Sequence, residues 1–210
     1  MSAPGARRGR GPGGPKIVVG VTGASGAPYA KRLLGVLAER RRAGELADLA
    51  CVLSGTAPEV WALECGGHPR ELDVPLWAGR DYRAPFASGS AGWDAMVVIP
   101  CSMGTAGRIA HGISDSLLTR AADVMLKERR TLVVVPRETP MSALHLENLL
   151  RLAREGALVL PASPSFYGKP EGVGELVDTV VARVLDHLGL PNRLTRRWGE
   201  APAQPPEVEP

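Results

Sequence analysis

The apolar run Thr131 to Pro136, with three valines in succession, constrains this chain more than any other stretch. It is too short for a stable helix and reads as a parallel strand covered on both faces. Ahead of it, from Ser116 to Lys127, the residues Leu117, Leu118, Ala121, Val124 and Met125 recur at helical spacing. That spacing predicts an amphipathic helix with its apolar stripe facing a core. Arg137 and Glu138 then fall at the carboxyl end of the strand, where ligands bind in open α/β sheets. Arg120 and Lys127 lie almost two full turns apart and project from one side of the helix. Two readings of these cations are open: a surface ladder neutralised by Asp123, or a cationic edge aimed at an anion. The Arg-Glu pair at the strand end favours the second.

The remaining chain repeats this alternation. Met1 to Pro15 is rich in Gly, Pro and Arg and is expected to be a disordered extension. Ile17 to Thr22 reads as a buried strand, followed by Gly23-Ala24-Ser25-Gly26-Ala27 and a helix to about Arg42. This strand, glycine turn and helix start would present N–H groups and a positive dipole end to an anion. It is not a dinucleotide fingerprint, because Ser25 stands where a second glycine would let a pyrophosphate approach. Nor does an acid close the second strand, Leu46 to Leu53: Asp48 lies near its start and Ser54 at its end. The turn suits a mononucleotide or a lone phosphate, although Ser25 would also serve as an ordinary helix cap. A short helix, Pro58 to Cys65, precedes a loop-rich stretch, Gly66 to Trp93, holding Ala87-Ser88-Gly89-Ser90. Ala95 to Pro100 is a further strand, ending in a second hydroxyl-bearing turn, Cys101 to Thr105. A helix from Met141 to about Arg154, a strand from Ala157 to Leu160, a loop bearing Phe166, Tyr167 and Lys169, and a helix from Gly174 to Leu188 complete the core. Five strands alternating with helices predict a single domain, residues 16–190, with a Rossmann-like three-layer α/β/α fold around an open parallel sheet. One rim of that sheet would gather Ser25, Ser54, Ser102 to Thr105, Arg137, Glu138 and Tyr167. Residues 191–210 read as a polar tail that docks on a neighbouring subunit through Trp198.

Composition narrows the function classes. The formal charge of +3 is carried by Arg7, Arg8 and Arg10 in an acid-free leader, so the pI near 9.0 does not indicate a basic face for nucleic acid. The three cysteines show no zinc spacing and suggest free thiols in a reducing cytosol. The four histidines are scattered, which gives no reason to expect a metal site. No apolar run approaches the ~20 residues needed to span a bilayer, and the basic N-terminus, without an apolar h-region, is not expected to act as a secretory signal.

The motifs VTGASGA, ASGS, PCSMGT, RAADVMLKERR, PRETPM, SFYGKP, VVARVLDHLGLP and RRWGE together resemble the flavin prenyltransferases of the UbiX type, from Lys16 to about Glu200. The resemblance implies transfer of the dimethylallyl group of dimethylallyl monophosphate to reduced FMN, at N5 and C6, without a metal. It further implies a product used by UbiD-type decarboxylases and a homododecamer with sites at subunit interfaces. Gly23, Ala24, Ser25, Ser54, Ser102, Met103, Gly104, Thr105 and Arg137 match the family's FMN contacts. Lys127, Arg137, Tyr167 and Arg183 match the groups that hold the prenyl phosphate, with Arg120 and Ser90 beside them. Glu138 matches the acid-base residue and Ser25 a proton relay, with Lys127 assisting catalysis, while Glu64 matches a second acid lining the site. Trp198 matches the aromatic that closes over a neighbour's site. Met103 departs from the family's usual Thr or Lys, leaving only its backbone for polar contact. A cysteine decarboxylase of the same superfamily would carry Pro-Ala-Ser-Ala-Asn-Thr and Pro-Ala-Met-Asn instead. A non-catalytic FMN-binding subunit would not need the second set of cations.

Overall fold

The computed structural model describes residues 13–197 and Gly199. Its centre is a six-stranded, all-parallel sheet in the order β3-β2-β1-β4-β5-β6, made by β1 (Lys16–Val21), β2 (Asp48–Leu53), β3 (Leu76–Trp77), β4 (Ala95–Cys101), β5 (Thr131–Pro136) and β6 (Leu158–Val159). The order reverses between β1 and β4, which are hydrogen-bonded neighbours, and a crevice opens beyond the carboxyl ends of strands at such a reversal. The expected Rossmann-like fold is present, with one strand more than the five read from the sequence. The addition is the edge strand β3, whose two residues are too few to show a period. It pairs with Cys51 and Val52 of β2.

Alternate strand residues feed two cores. Ile17, Val19, Val21, Leu49, Cys51, Val97, Ile99, Val133 and Val135 face one side, where α1 (Ala27–Arg42), α2 (Ala57–Cys65) and α6 (Val173–His187) cover them. Val18, Ala50, Val52, Met96, Val98, Leu132 and Val134 face the other, covered by α3 (Met103–Ala110), α4 (Leu117–Lys127) and α5 (Ala143–Arg154). Apolar residues on both faces are why these strands read as continuous hydrophobic runs. The turn expected at Cys101 to Thr105 is already the first turn of α3, which sequence reading left out. The stretch from Gly66 to Trp93 is likewise better anchored than its composition suggests. Phe86 is buried between Trp77 and Trp93 in edge-to-face contacts, with ring centroids 5.8 and 5.4 Å away, and it seats the loop on the α4 side. No helix among the described residues is long and apolar enough to cross a membrane.

Residues 191–197 lie on their own chain. Arg40 donates to the Pro191 carbonyl, Asn192 to the Ala182 carbonyl at 3.2 Å, and Arg197 grips Asp186 through both terminal nitrogens, at 2.6 and 2.7 Å. The Arg197 hydrogen bonds, against partial burial that alone would raise it, hold the Asp186 carboxyl below its usual range. Trp198, expected to close over a neighbour, lies outside the described residues, as do residues 1–12 of the extension expected to be disordered up to Pro15; Pro15 itself is buried and accepts the Ala47 N–H at 3.1 Å.

Candidate active site

The crevice is built first by backbone. Thr22, buried at the end of β1, donates its hydroxyl to the Pro100 carbonyl at 2.7 Å and accepts the Ser102 N–H at 2.8 Å. One small side chain thus ties the ends of β1 and β4 where the strand order reverses. Sequence reading passed over Thr22, and its one signal was a polar residue closing an apolar run.

Around this tie the turns converge. After β1 the chain turns through Gly23, Ala24 and Ser25, and Gly26 takes φ 119°, a left-handed conformation that favours glycine. Gly26, not Ser25, is the cap residue of α1, and no side chain of that turn caps the helix. The capping reading of Ser25 is therefore corrected: Glu64 of α2 reaches across instead. Its Oε2 accepts the N–H groups of Gly26 and Ala27, each at 2.8 Å. Partial burial pushes the Glu64 carboxyl up, but hydrogen bonds from Ser25, Gly26 and Ala27 and the charge of Arg137 outweigh it and bring it below its ordinary value. The anion expected at the start of this helix is thus partly supplied by the protein's own carboxylate.

Arg137, half-buried at the end of β5, donates Nε to the Ser25 carbonyl at 2.9 Å, which lays its guanidinium over the same turn. Beside it the Glu138 carboxylate accepts the Thr139 N–H at 3.0 Å. The turn after β2 stands against the turn after β1: a methyl at Gly23 would lie 1.9 Å from Thr56 Oγ1, so only glycine lets the two meet. In that second turn the Ser54 hydroxyl is buried without a hydrogen-bond partner. Ser102 caps α3, accepting the Thr105 N–H at 3.4 Å, with the two hydroxyl oxygens 3.0 Å apart. Met103 is buried in the core, whereas Gly104 is exposed. Tyr167 lies on the loop that follows β6, 75% exposed.

Ser25, Ser54, Glu64, Ser102, Thr105, Arg137 and Glu138 therefore share one crevice, with Tyr167 on the adjoining loop. Lys127, Arg120 and Ser90 do not join them within the chain. Lys127 ends α4, four residues before β5 begins at Thr131, so it lies at the opposite edge of the sheet. The six residues of β5 separate the two edges by roughly 20 Å. Its partner is Glu128, at 3.0 Å, while Arg120 pairs with Asp123 at 3.3 Å. The surface-ladder reading therefore describes Arg120 but not Lys127. Arg183 lies about 15 Å along α6 from the helix start, bonded to Asp186 at 3.0 Å.

A crevice combining hydroxyls, one guanidinium and two carboxylates at a strand reversal suits a phosphate-bearing mononucleotide. The buried Ser54 hydroxyl strengthens the fit, because leaving such a group unpaired costs about 1–3 kcal/mol unless a ligand or water completes it. Among the described residues no group of His, Cys, Asp and Glu has a metal-binding arrangement. The buried thiols of Cys51 and Cys101 are each pushed up to about 12 by desolvation, so neither is a nucleophile at neutral pH.

Known proteins share this architecture and sequence. The Flavoprotein family model matches residues 7–185. A flavin prenyltransferase UbiX from Methanocaldococcus jannaschii is 45% identical over 187 residues, covering 88% of this chain and 98% of its own length. The crystal structure of AnUbiX (PadA1) in complex with FMN and dimethylallyl pyrophosphate aligns with TM-score 0.83 and 40% identity, covering 90% of this chain and all of that one. A dodecameric FMN-dependent UbiX-like decarboxylase from Escherichia coli O157:H7 aligns with TM-score 0.82 and 44% identity, covering 87% of this chain and 98% of that one.

Proposed function

The chain belongs to the flavin prenyltransferases of the UbiX type within the Flavoprotein family, and on that premise we propose how its residues divide the work. It transfers the dimethylallyl group of dimethylallyl monophosphate to reduced FMN at N5 and C6, and a UbiD-type decarboxylase in the cytoplasm receives the product. The observation that carries the reading is the crevice itself, with Arg137 laid over the Ser25 carbonyl and a buried Ser54 hydroxyl lacking a protein partner. Gly23, Ala24, Ser25, Ser54, Ser102 to Thr105 and Arg137 hold the flavin nucleotide.

When bound, reduced FMN supplies an electron-rich ring that accepts the allylic carbon. The protein's task is to neutralise the departing phosphate as the carbon–oxygen bond breaks, to exclude water and to take up the proton lost from C6. Arg137, Lys127, Arg183 and the Tyr167 phenol carry the phosphate charge, enough protein cations for the reaction to proceed without a divalent metal. Arg120 and Ser90 adjoin them. Glu138 accepts the C6 proton, with the Ser25 hydroxyl, bonded to Glu64, as a relay.

Because Lys127, Arg120, Ser90 and Arg183 lie away from the crevice of their own chain, they act in the crevice of another copy, which fits a dodecamer. The test is anaerobic incubation with reduced FMN and dimethylallyl phosphate, with and without a chelator, followed by mass analysis of the flavin. A flavin heavier by one dimethylallyl unit is expected in both arms. An unchanged mass would remove the reading, and loss of product with chelator alone would remove only the metal-free part.

A further inference from the structure

Lys127 stands in a small framework that its own reading does not use. Its Nζ lies 3.0 Å from Glu128 Oε1, and that carboxylate is seated against the backbone of the Ser88–Ser90 loop. A methyl added at Gly89 would lie 2.1 Å from Glu128 Oε1 and 2.5 Å from its carboxyl carbon. Arg130 closes the framework: its Nη2 donates to the Gly89 carbonyl at 2.6 Å and lies 3.7 Å from Glu128 Oε2. The Ser88 and Ser90 hydroxyl oxygens are 3.1 Å apart, and Arg120 Nε holds the preceding Ala87 carbonyl at 3.2 Å. One carboxylate therefore stands between a half-exposed cation and the loop bearing two hydroxyls.

We propose that Glu128 is a positioning residue, fixing the Lys127 ammonium relative to Ser88 and Ser90 so that cation and hydroxyls reach the prenyl phosphate together. The inference rests on the reading of Lys127 as a prenyl phosphate contact. The physical reason is the lysine stem: a compact charge on four flexible carbons loses rotamer freedom when it binds, and a tether in place beforehand removes part of that cost. Arg130 is largely buried, with a side chain 18% exposed, and acts on the loop backbone. Glu128 is thus held from two sides before any ligand arrives.

The test uses the full-length assembled protein with reduced FMN and varied dimethylallyl phosphate, measuring kcat, KM and FMN affinity for Glu128→Ala, Gly89→Ala, the double variant and Lys127→Ala. Glu128→Ala and Gly89→Ala should each raise KM about fivefold, the scale of one partly exposed ion pair, with kcat, FMN affinity and oligomeric state retained. The double variant should be no worse than Glu128→Ala alone, since the shortened side chain leaves room for the new methyl. An unchanged KM in Glu128→Ala beside an impaired Lys127→Ala overturns the positioning role and leaves the Lys127 reading standing. An unimpaired Lys127→Ala overturns both. Additive losses in the double variant, or a parallel fall in FMN affinity, also overturn the proposal by removing the shared contact as the cause.

Discussion

Replacing Glu64 by glutamine should destabilise the protein in a pH-dependent way, because the Glu64 carboxylate serves the first turn of a helix on another segment. It accepts two N–H groups at 2.8 Å at the start of the 16-residue helix α1, and it also holds the Ser25 hydroxyl near Arg137. A cap contributes about 1 kcal/mol, and a negative charge at a helix N-terminus a further 0.3–1 kcal/mol or so. Glu64 is largely solvated, and screening places the charge effect at the lower end. Glutamine keeps an acceptor but loses the charge, so about 0.3–0.5 kcal/mol is expected, or roughly 1–2 °C in Tm for a chain of this size. The sign follows from the lowered folded-state pKa. The advantage of wild type is full above the unfolded carboxyl value of about 4.3 and is lost as pH falls through the lower value of the folded state. Thermal unfolding of both proteins from pH 7 to pH 3, at fixed protomer concentration, measures it. A Tm gap that stays constant or widens toward pH 3 would refute the reasoning.

Ser54→Ala should leave the flavin-free protein as stable as wild type or stabilise it by about 1 kcal/mol, since a buried hydroxyl without a protein partner is removed. FMN titration should then show about tenfold weaker binding, and unchanged affinity would dissociate Ser54 from the cofactor. Glu138→Gln should lower the saturating rate by about 10²–10⁴ while FMN still binds. Weakened substrate affinity at an unchanged rate would make Glu138 an orienting group for Arg137 instead. Co-expressing Lys127→Ala with Glu138→Gln chains should restore part of the activity that each variant lacks, because mixed assemblies contain crevices with both residues intact. Mixed oligomers as inactive as their parents would place Lys127 and Glu138 on the same chain's site.

What the sequence by itself determined is the set of layers and the places where they end. Valine-rich runs such as Thr131 to Pro136 can be satisfied only by burial on both faces, and that requirement alone dictates a parallel sheet between helices with Arg137 and Glu138 at a strand end. The motifs from VTGASGA to RRWGE placed the chain in its family. The edge strand Leu76–Trp77 and the helix behind the Cys101 turn were not legible, because a two-residue strand has no period and a capped first turn looks like a loop. Two further matters were decided only by tertiary structure. The N–H groups at the start of α1 are taken by Glu64, some forty residues downstream, where no local pattern could indicate it. Lys127 and Arg137, ten residues apart in sequence, stand at opposite edges of the sheet because the strand between them is fully extended. Sequence spacing counts residues along the chain, whereas a β-strand turns each residue into about 3.3 Å of distance. Two groups at opposite ends of a strand are therefore much farther apart than the few residues between them suggest.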